Sequence, residues 1–307
     1  MAQSRRQSID VYRGLALLAM AVYHACWDLT YYRLIDAGIG VDPVWVTFQR
    51  AVLTAFLLLA GASLTLGHGD GIRWRSFWRR EAILVGAALA TSLGTYLLFG
   101  DYFAYFGVLH AIALFSLLAL LLVTAPLWIS ILVTVAALIL PALYSSDAFD
   151  PRWLNWLGFF RVTPETADLV PVFPWFGVFL IGMLAMRLFR NAAAFTWSTP
   201  NRAVRAVGFL GRWSLIAYLL HQPLLFGIIT PIANYLNNAE TAKLESFTRS
   251  CEVSCNATKG KAEGAGGPQF CSAYCQCALE STVRDNLWSA PADQLKSMSA
   301  LCTAMAE

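Results

Sequence analysis

The sequence predicts an all-α, polytopic integral membrane helical bundle of about seven spans with a small cysteine-rich helical tail, on three observations. The 307 residues are 58% hydrophobic and 13% charged, which is too apolar for one soluble domain. Successive apolar runs approach the roughly 20 residues that a helix needs to cross a bilayer. After about Leu236 the composition turns polar, and this last part holds all four lysines and six of the seven cysteines. The expected division is a membrane domain over 1–236 and a tail over 237–307.

Taken in order, the spans fall near 14–33, 45–67, 81–99, 104–124, 127–144, 171–189 and 213–236. The first is a retained helix and not a cleaved leader, because it runs long, carries His24 and Asp28, and continues into bulky Trp27, Tyr31 and Tyr32. The second has Arg50 near one end, and the third follows the basic cluster Arg73, Arg75, Arg79 and Arg80. His110 lies near the start of the fourth. The fifth and sixth are apolar runs, and the seventh contains His221, Gln222 and the kinking Pro223.

Short loops rich in arginine stay in the cytoplasm. An inside N-terminus places Arg5, Arg6, Arg13, Arg73, Arg75, Arg79, Arg80, Arg187, Arg190, Arg202, Arg205 and Arg212 on that side, against only Arg33, Arg152 and Arg161 outside. Asp36, Asp42, Asp101, Asp147, Asp150, Glu165 and Asp168 fall on the outer side. Seven spans then carry the tail to the extracytoplasmic face, in a bacterial inner membrane on this reading. The net charge of +3 follows from this topology and gives no reason to expect a nucleic-acid partner.

Ionisable groups within a bilayer are costly and usually mark a site. Arg13 stands at the start of the first span, His24 follows about 16 Å along the axis, and Asp28 lies one turn further on the same face. His24, Asp28, Arg50, His110 and His221 all fall between mid-membrane and the outer face, as a polar cavity opening outward requires. For His110 and His221 the competing assignment is an interhelical hydrogen bond; Arg50 reaches outer headgroups equally well, and Cys26 reads as packing. A histidine here can act as general base on an acceptor hydroxyl or amine, or take an acyl group itself. Asp28 fixes the His24 tautomer if the two touch. Arg73, Arg75, Arg79 and Arg80 suit the phosphates of a nucleotide-bearing donor such as coenzyme A, although basic loops are common to membrane proteins. The catalytic candidates are thus His24, Asp28, His221 and His110.

In the tail, Cys251 and Cys255 are one helical turn apart, as are Cys271 and Cys275, with a turn from Lys259 to Pro268 between them. The simplest antiparallel hairpin pairs Cys251 with Cys275 and Cys255 with Cys271, leaving Cys277 for Cys302; this is one of fifteen connectivities. Zinc or copper at Cys275-Gln276-Cys277 is the competing reading. The oxidising side of a membrane favours disulfides, and no metal site is expected.

Four segments carry a family resemblance: RRQSIDVYRGLALLAMAVYHACWD from Arg5, FGVLHAIAL from Phe106, VPVFPWFGVFLIGM from Val170 and LGRWSLIAYLLHQP from Leu210. They resemble bacterial membrane proteins related to heparan-alpha-glucosaminide N-acetyltransferase. The ten residues between Arg13 and His24 are also similar to the Arg-His motif of wider transmembrane acyltransferases that modify envelope sugars. The resemblance implies acetyl-CoA or a similar thioester as cosubstrate from the cytoplasm, with no cofactor held, and a sugar or glycan acceptor outside. It further implies His24 as base or acyl carrier, Asp28 as its orienter, Arg13 as a donor-side contact, and His110 and His221 as acceptor-side or structural partners. The loop in which the lysosomal enzyme carries its proposed histidine corresponds to Tyr31–Asp42, which has none. The tail resembles small helical hairpins with twin disulfides, and a protein partner or a cap over the cavity are its expected uses. The function of another class that the same residues allow is a transporter or channel using intramembrane His and Asp, although no inverted repeat is evident.

Overall fold

A computed structural model describes residues 6–259 and 268–306, so Arg5 and the tail turn over 260–267 lie outside the described residues. The described chain is all helical: α1 (Gln7–Tyr31), α2 (Pro43–His68), α3 (Trp74–Phe99), α4 (Val108–Val123), α5 (Leu127–Leu143), α6 (Arg152–Asn155), α7 (Val172–Phe189), α8 (Ala193–Thr196), α9 (Arg202–Arg212), α10 (Ser214–Lys259), α11 (Pro268–Arg284) and α12 (Ala292–Ala306). Among the described residues, five helices are long and apolar enough to cross a membrane, within α1, α2, α3 with the turn after it, α7 and α10. The two shorter apolar helices α4 and α5 complete the expected set of seven apolar segments. Leu89, Leu93 and Leu97 on α3, Leu121 on α4 and Leu132 on α5 face outward, as lipid-facing side chains do.

The chain divides into two compact units, Met1–Gly227 and Ile228–Glu307, and α10 contributes to both. The division falls before the compositional break at Leu236, and α10 runs on without interruption past that break to Lys259.

The first unit is packed by close backbone approach. A Cβ on Gly61 would meet the Phe179 carbonyl oxygen, and one on Gly182 the Leu58 carbonyl oxygen, so α2 and α7 touch main chain to main chain. Small residues permit this in membrane helices, where lipid offers no hydrophobic drive to association. Around that contact Leu57, Leu64, Phe115, Phe179, Leu180 and Met183 are fully enclosed.

A second such contact joins α1 to α9. Gly14 faces Val207 and Gly211 faces Asp10 with no room for a side chain. The arginines Arg202, Arg205 and Arg212, expected in a loop, are therefore carried on a helix. Its Val204, Val207, Gly208 and Gly211 turn inward while the arginines stay exposed. The start of α1 also lies earlier than expected. Its polar first turns are docked on the 190–201 segment: Ser8 Oγ donates to the Phe195 carbonyl (2.7 Å), Tyr12 OH to that of Ala194 (2.9 Å) and Gln7 Nε2 to that of Thr199 (3.1 Å).

At the opposite end, the strand-like segment 166–173 threads between two others. Val170 N–H donates to the Phe106 carbonyl (2.9 Å), and Val172 N–H to that of Trp156 (2.8 Å). Asp168 Oδ2 accepts from the Val108 N–H at 3.0 Å and so caps α4. Gly107 lies against this carboxylate and leaves no space for a Cβ.

The second unit is held covalently. Cys251–Cys275, Cys255–Cys271 and Cys277–Cys302 are bonded, with Cα separations of 5.8, 5.7 and 5.5 Å. This is the pairing expected of an antiparallel hairpin, and it takes the Cys275 and Cys277 sulfurs out of metal binding. Lys243 Nζ sits 3.7 Å from the centre of the Trp288 ring, and Phe247 packs edge-on to the same ring. Tyr274 OH and Ser299 Oγ, 2.9 Å apart, tie α11 to α12.

Candidate active site

The structure brings His24 and His221 together, with ring centres 5.1 Å apart. His24 comes from α1 and His221 from α10, which follows directly on α9, the helix packed against α1 through Gly14 and Gly211. His221 Nδ1–H donates to the Tyr218 carbonyl at 2.6 Å, which leaves Nε2 as the acceptor nitrogen of the neutral ring. Tyr23 packs edge-on to His24, and Tyr218 lies against His221 with centres 5.7 Å apart.

Asp28 is fully buried one turn beyond His24. Its partner is Gln222, whose Nε2 donates to Asp28 Oδ1 at 2.7 Å. The expected direct orientation of His24 by Asp28 is not among the hydrogen bonds of the described residues. The carboxylate is held by the residue next to His221 instead, so Asp28 and His221 are coupled through α10. Gln222 was visible in the sequence only as a neighbour of His221; its amide gains meaning from the bond to a residue 194 positions away.

His110 has a different surrounding. Its Nδ1 accepts from the Gly107 N–H (3.3 Å), and its Nε2 lies 3.3 Å from Ser92 Oγ, which donates to the Ala104 carbonyl (2.6 Å). Both ring nitrogens are thus engaged in fastening the start of α4 to α3. This is the interhelical hydrogen-bond role, and the structure does not gather His110 with the His24 and His221 rings. Arg50 is exposed on α2, and Cys26 is the free cysteine.

The arginines separate too. A cavity of about 430 Å³ is lined by Arg13, Arg79 and Arg80 together with Ser76, Phe56, Leu84 and Tyr218. Arg13 is braced by Ser63, to which it donates, and by Asp10, whose Oδ1 is 3.6 Å away. Arg73 and Arg75 do not line the cavity. Arg73 Nε donates to the Gly67 carbonyl (2.9 Å) and its N–H to His68 Nδ1 (3.2 Å), closing the turn between α2 and α3. Arg75 is exposed. Of the five cations expected to bind a donor, three therefore share one concavity, and helical spacing is the reason: Arg79 and Arg80 lie one turn on from Ser76, while Arg73 and Arg75 precede that face.

Tyr218 links the two halves of the site. It lines the arginine cavity, and its carbonyl fixes the His221 tautomer. Val108, another lining residue, gives its N–H to Asp168. Asp168 lies outside the spans, and burial pushes its carboxyl up from 3.8 to about 6 against the lowering effect of the Val108 bond. No motif marked this aspartate in advance, since its place behind the site depends on how the 166–173 segment threads.

The four resembling segments are also physical partners. The segment from Arg5 packs on the one that includes Gly211, and the segment from Phe106 pairs with the one from Val170 through the Val170 N–H, which donates to the Phe106 carbonyl. In the comparison with known families, the model for heparan-alpha-glucosaminide N-acetyltransferase, catalytic, matches residues 5–223. No curated protein and no solved structure matches the chain.

Proposed function

Because the chain belongs to the heparan-alpha-glucosaminide N-acetyltransferase catalytic family, and is an integral membrane protein of acyltransferase type, we propose that it moves an acetyl group from acetyl-CoA, or a similar thioester, to an extracytoplasmic sugar or glycan. The observation that carries this reading is the His24–His221 pair at 5.1 Å, joined through Tyr218 to a cavity holding three arginines. Arg13, Arg79 and Arg80 are the donor-phosphate contacts, since guanidinium forks match phosphate oxygens. The apolar walls around Leu84 and Tyr218 suit the uncharged arm of a thioester donor leading toward the histidines.

At the pair, one imidazole takes the proton of the acceptor hydroxyl or amine as that atom attacks the thioester carbonyl. The C–S bond breaks and the proton returns to the departing thiolate. His221 is the ring whose tautomer is fixed for this work, and His24 is the second base or the acyl-carrying nucleophile. Catalysis by such a base is worth about 10²- to 10⁴-fold.

In the proposed orientation the arginine-rich end faces the cytoplasm, where the donor is made, and the tail faces the oxidising side. Three disulfides in the tail support that placement. The test is transfer of radiolabelled acetyl groups from acetyl-CoA into envelope glycans by membranes holding wild type or His24→Ala at matched levels. Label that appears with wild type and vanishes with His24→Ala is the expected result. Label absent from both overturns the acyl-transfer reading and favours transport.

A further inference from the structure

Five buried side-chain polar atoms among the described residues have no hydrogen-bond partner, and three of these five are Asp28 Oδ2, His221 Nε2 and Gln222 Oε1. Unpaired buried polar atoms are unfavourable and rare. Three carried by a hydrogen-bonded pair and the histidine next to it in the chain require a cause that the other two, on Glu81 and Ser116, do not share.

The bonds that are present decide the character of the atoms that are not bonded. Gln222 gives its Nε2 to Asp28 Oδ1 at 2.7 Å, so its remaining amide atom is an oxygen, an acceptor only. Asp28, already accepting at Oδ1 from that amide, presents Oδ2 as a second carboxylate acceptor. His221 gives its Nδ1–H to the Tyr218 carbonyl, so Nε2 of the neutral ring is also an acceptor. These three atoms are all acceptors, and no donor of the described residues reaches any of them. Their complement is a ligand that brings donors.

We propose that Asp28 and Gln222 form the acceptor-binding pair of this site, taking two neighbouring donor groups of the incoming molecule, a hydroxyl flanked by a second hydroxyl or by an amine, while His221 Nε2 faces the group to be acylated. The proposal rests on the acyl-transfer reading and adds its acceptor half. The reaction balances on these atoms. The acceptor O–H or N–H bond breaks with its proton going to His221 Nε2, the new bond forms to the thioester carbon, and the C–S bond breaks with the thiolate taking up that proton. The mutual Asp28–Gln222 bond explains why a glutamine follows the histidine: leucine there would leave the carboxylate wholly unpaired.

Such an acceptor pair discriminates by donor count, because a site built to hydrogen-bond a ligand group rejects an analogue lacking it. The test uses the full-length protein in detergent, with glucosamine and 2-deoxyglucose as acceptors, labelled acetyl-CoA as donor, and wild type compared with Gln222→Leu and Asp28→Asn. Binding of each sugar without donor is measured in parallel by saturation-transfer NMR, and thermal midpoints verify folding. The expected result is that wild type prefers glucosamine by about tenfold or more in KM, that Gln222→Leu raises the glucosamine KM by a similar factor, and that the preference between the two sugars collapses in Gln222→Leu. A folded Gln222→Leu that keeps both the KM and the preference, with transfer intact, overturns the acceptor pair and leaves the acyl-transfer reading standing. Sugar binding that is weakened by Gln222→Leu in a wild type that transfers no label supports the pair and overturns acyl transfer. Neither binding nor transfer overturns both.

Discussion

The membrane unit up to Gly227 and the unit from Ile228 onward solve the same problem by opposite means. In the first, helices approach so closely that carbonyl oxygens lie where a Cβ would be, at Gly61, Gly182 and Gly211. In the second, three disulfides over sequence separations of 24, 16 and 25 residues join helices whose apolar content is low. The difference lies in what each environment leaves available. Within lipid, association depends on van der Waals contact and interhelical hydrogen bonds, so shape decides. A small unit of low apolar content cannot enclose enough apolar surface, so constraint of the unfolded chain decides.

The largest effect should come from Gly182→Leu. Its side chain would have to displace the Leu58 carbonyl, a backbone atom with nowhere to move. Overpacking of yielding side chains costs about 1–3 kcal/mol, and this contact should exceed that range. Yield of monodisperse protein should collapse while unreduced mass spectrometry still finds all three bridges; normal assembly would show that main-chain contact does not hold the first unit.

Next in size is the Cys255→Ser, Cys271→Ser double variant. Loss of one loop of this length costs about 3 kcal/mol. Limited proteolysis should open the second unit first, with the thermal midpoint of the membrane unit unchanged. A fall in both together would mean that the units fold as one.

A third expectation concerns pH. The folded Asp168 carboxyl titrates at about 6 against 3.8 for its ordinary value, so the folded state holds that proton more tightly. This group therefore disfavours folding progressively as pH rises from about 4 through about 6, and its contribution is most favourable below that window. The effect is on the order of 3 kcal/mol. Asp168→Asn, which keeps an acceptor for the Val108 N–H, should flatten the midpoint-against-pH curve of the first unit and leave the tail as it was. An unaltered slope would place the titrating group elsewhere.

The smallest effect separates cations within the first unit. Arg79→Ala should raise the KM for the thioester donor about tenfold, equivalent to about 1.4 kcal/mol, whereas Arg75→Ala should change it by less than twofold. Equal effects would indicate that the loop acts through net charge and not through the cavity.

Much of this architecture was legible because it is periodic. Seven apolar stretches and the cysteine pairs one turn apart are one-dimensional signals, and each has its counterpart in the structure. α9 escaped notice because its small inward residues, Val204, Val207, Gly208 and Gly211, are interleaved with arginines that read as a loop. The polar opening of α1 is hidden for a different reason, since its burial depends on carbonyl partners at Ala194, Phe195 and Thr199. Among candidate site residues, His24, Asp28 and His221 converge, whereas His110 binds Gly107 and Ser92. Nothing in a histidine's own sequence neighbourhood separates these cases, because the partner that decides comes from another helix.

By itself the sequence determined the local geometry of each region: helices long enough to close their own backbone bonds in lipid, and cysteines spaced to bridge a helical hairpin. Only the tertiary structure decided which ionisable groups share a site. Gln222 meets Asp28, and Arg13 joins Arg79 and Arg80 while Arg73 and Arg75 turn away. Those choices follow from the rotation and depth of each helix against its neighbours, and these are set by steric contacts between segments far apart in the chain.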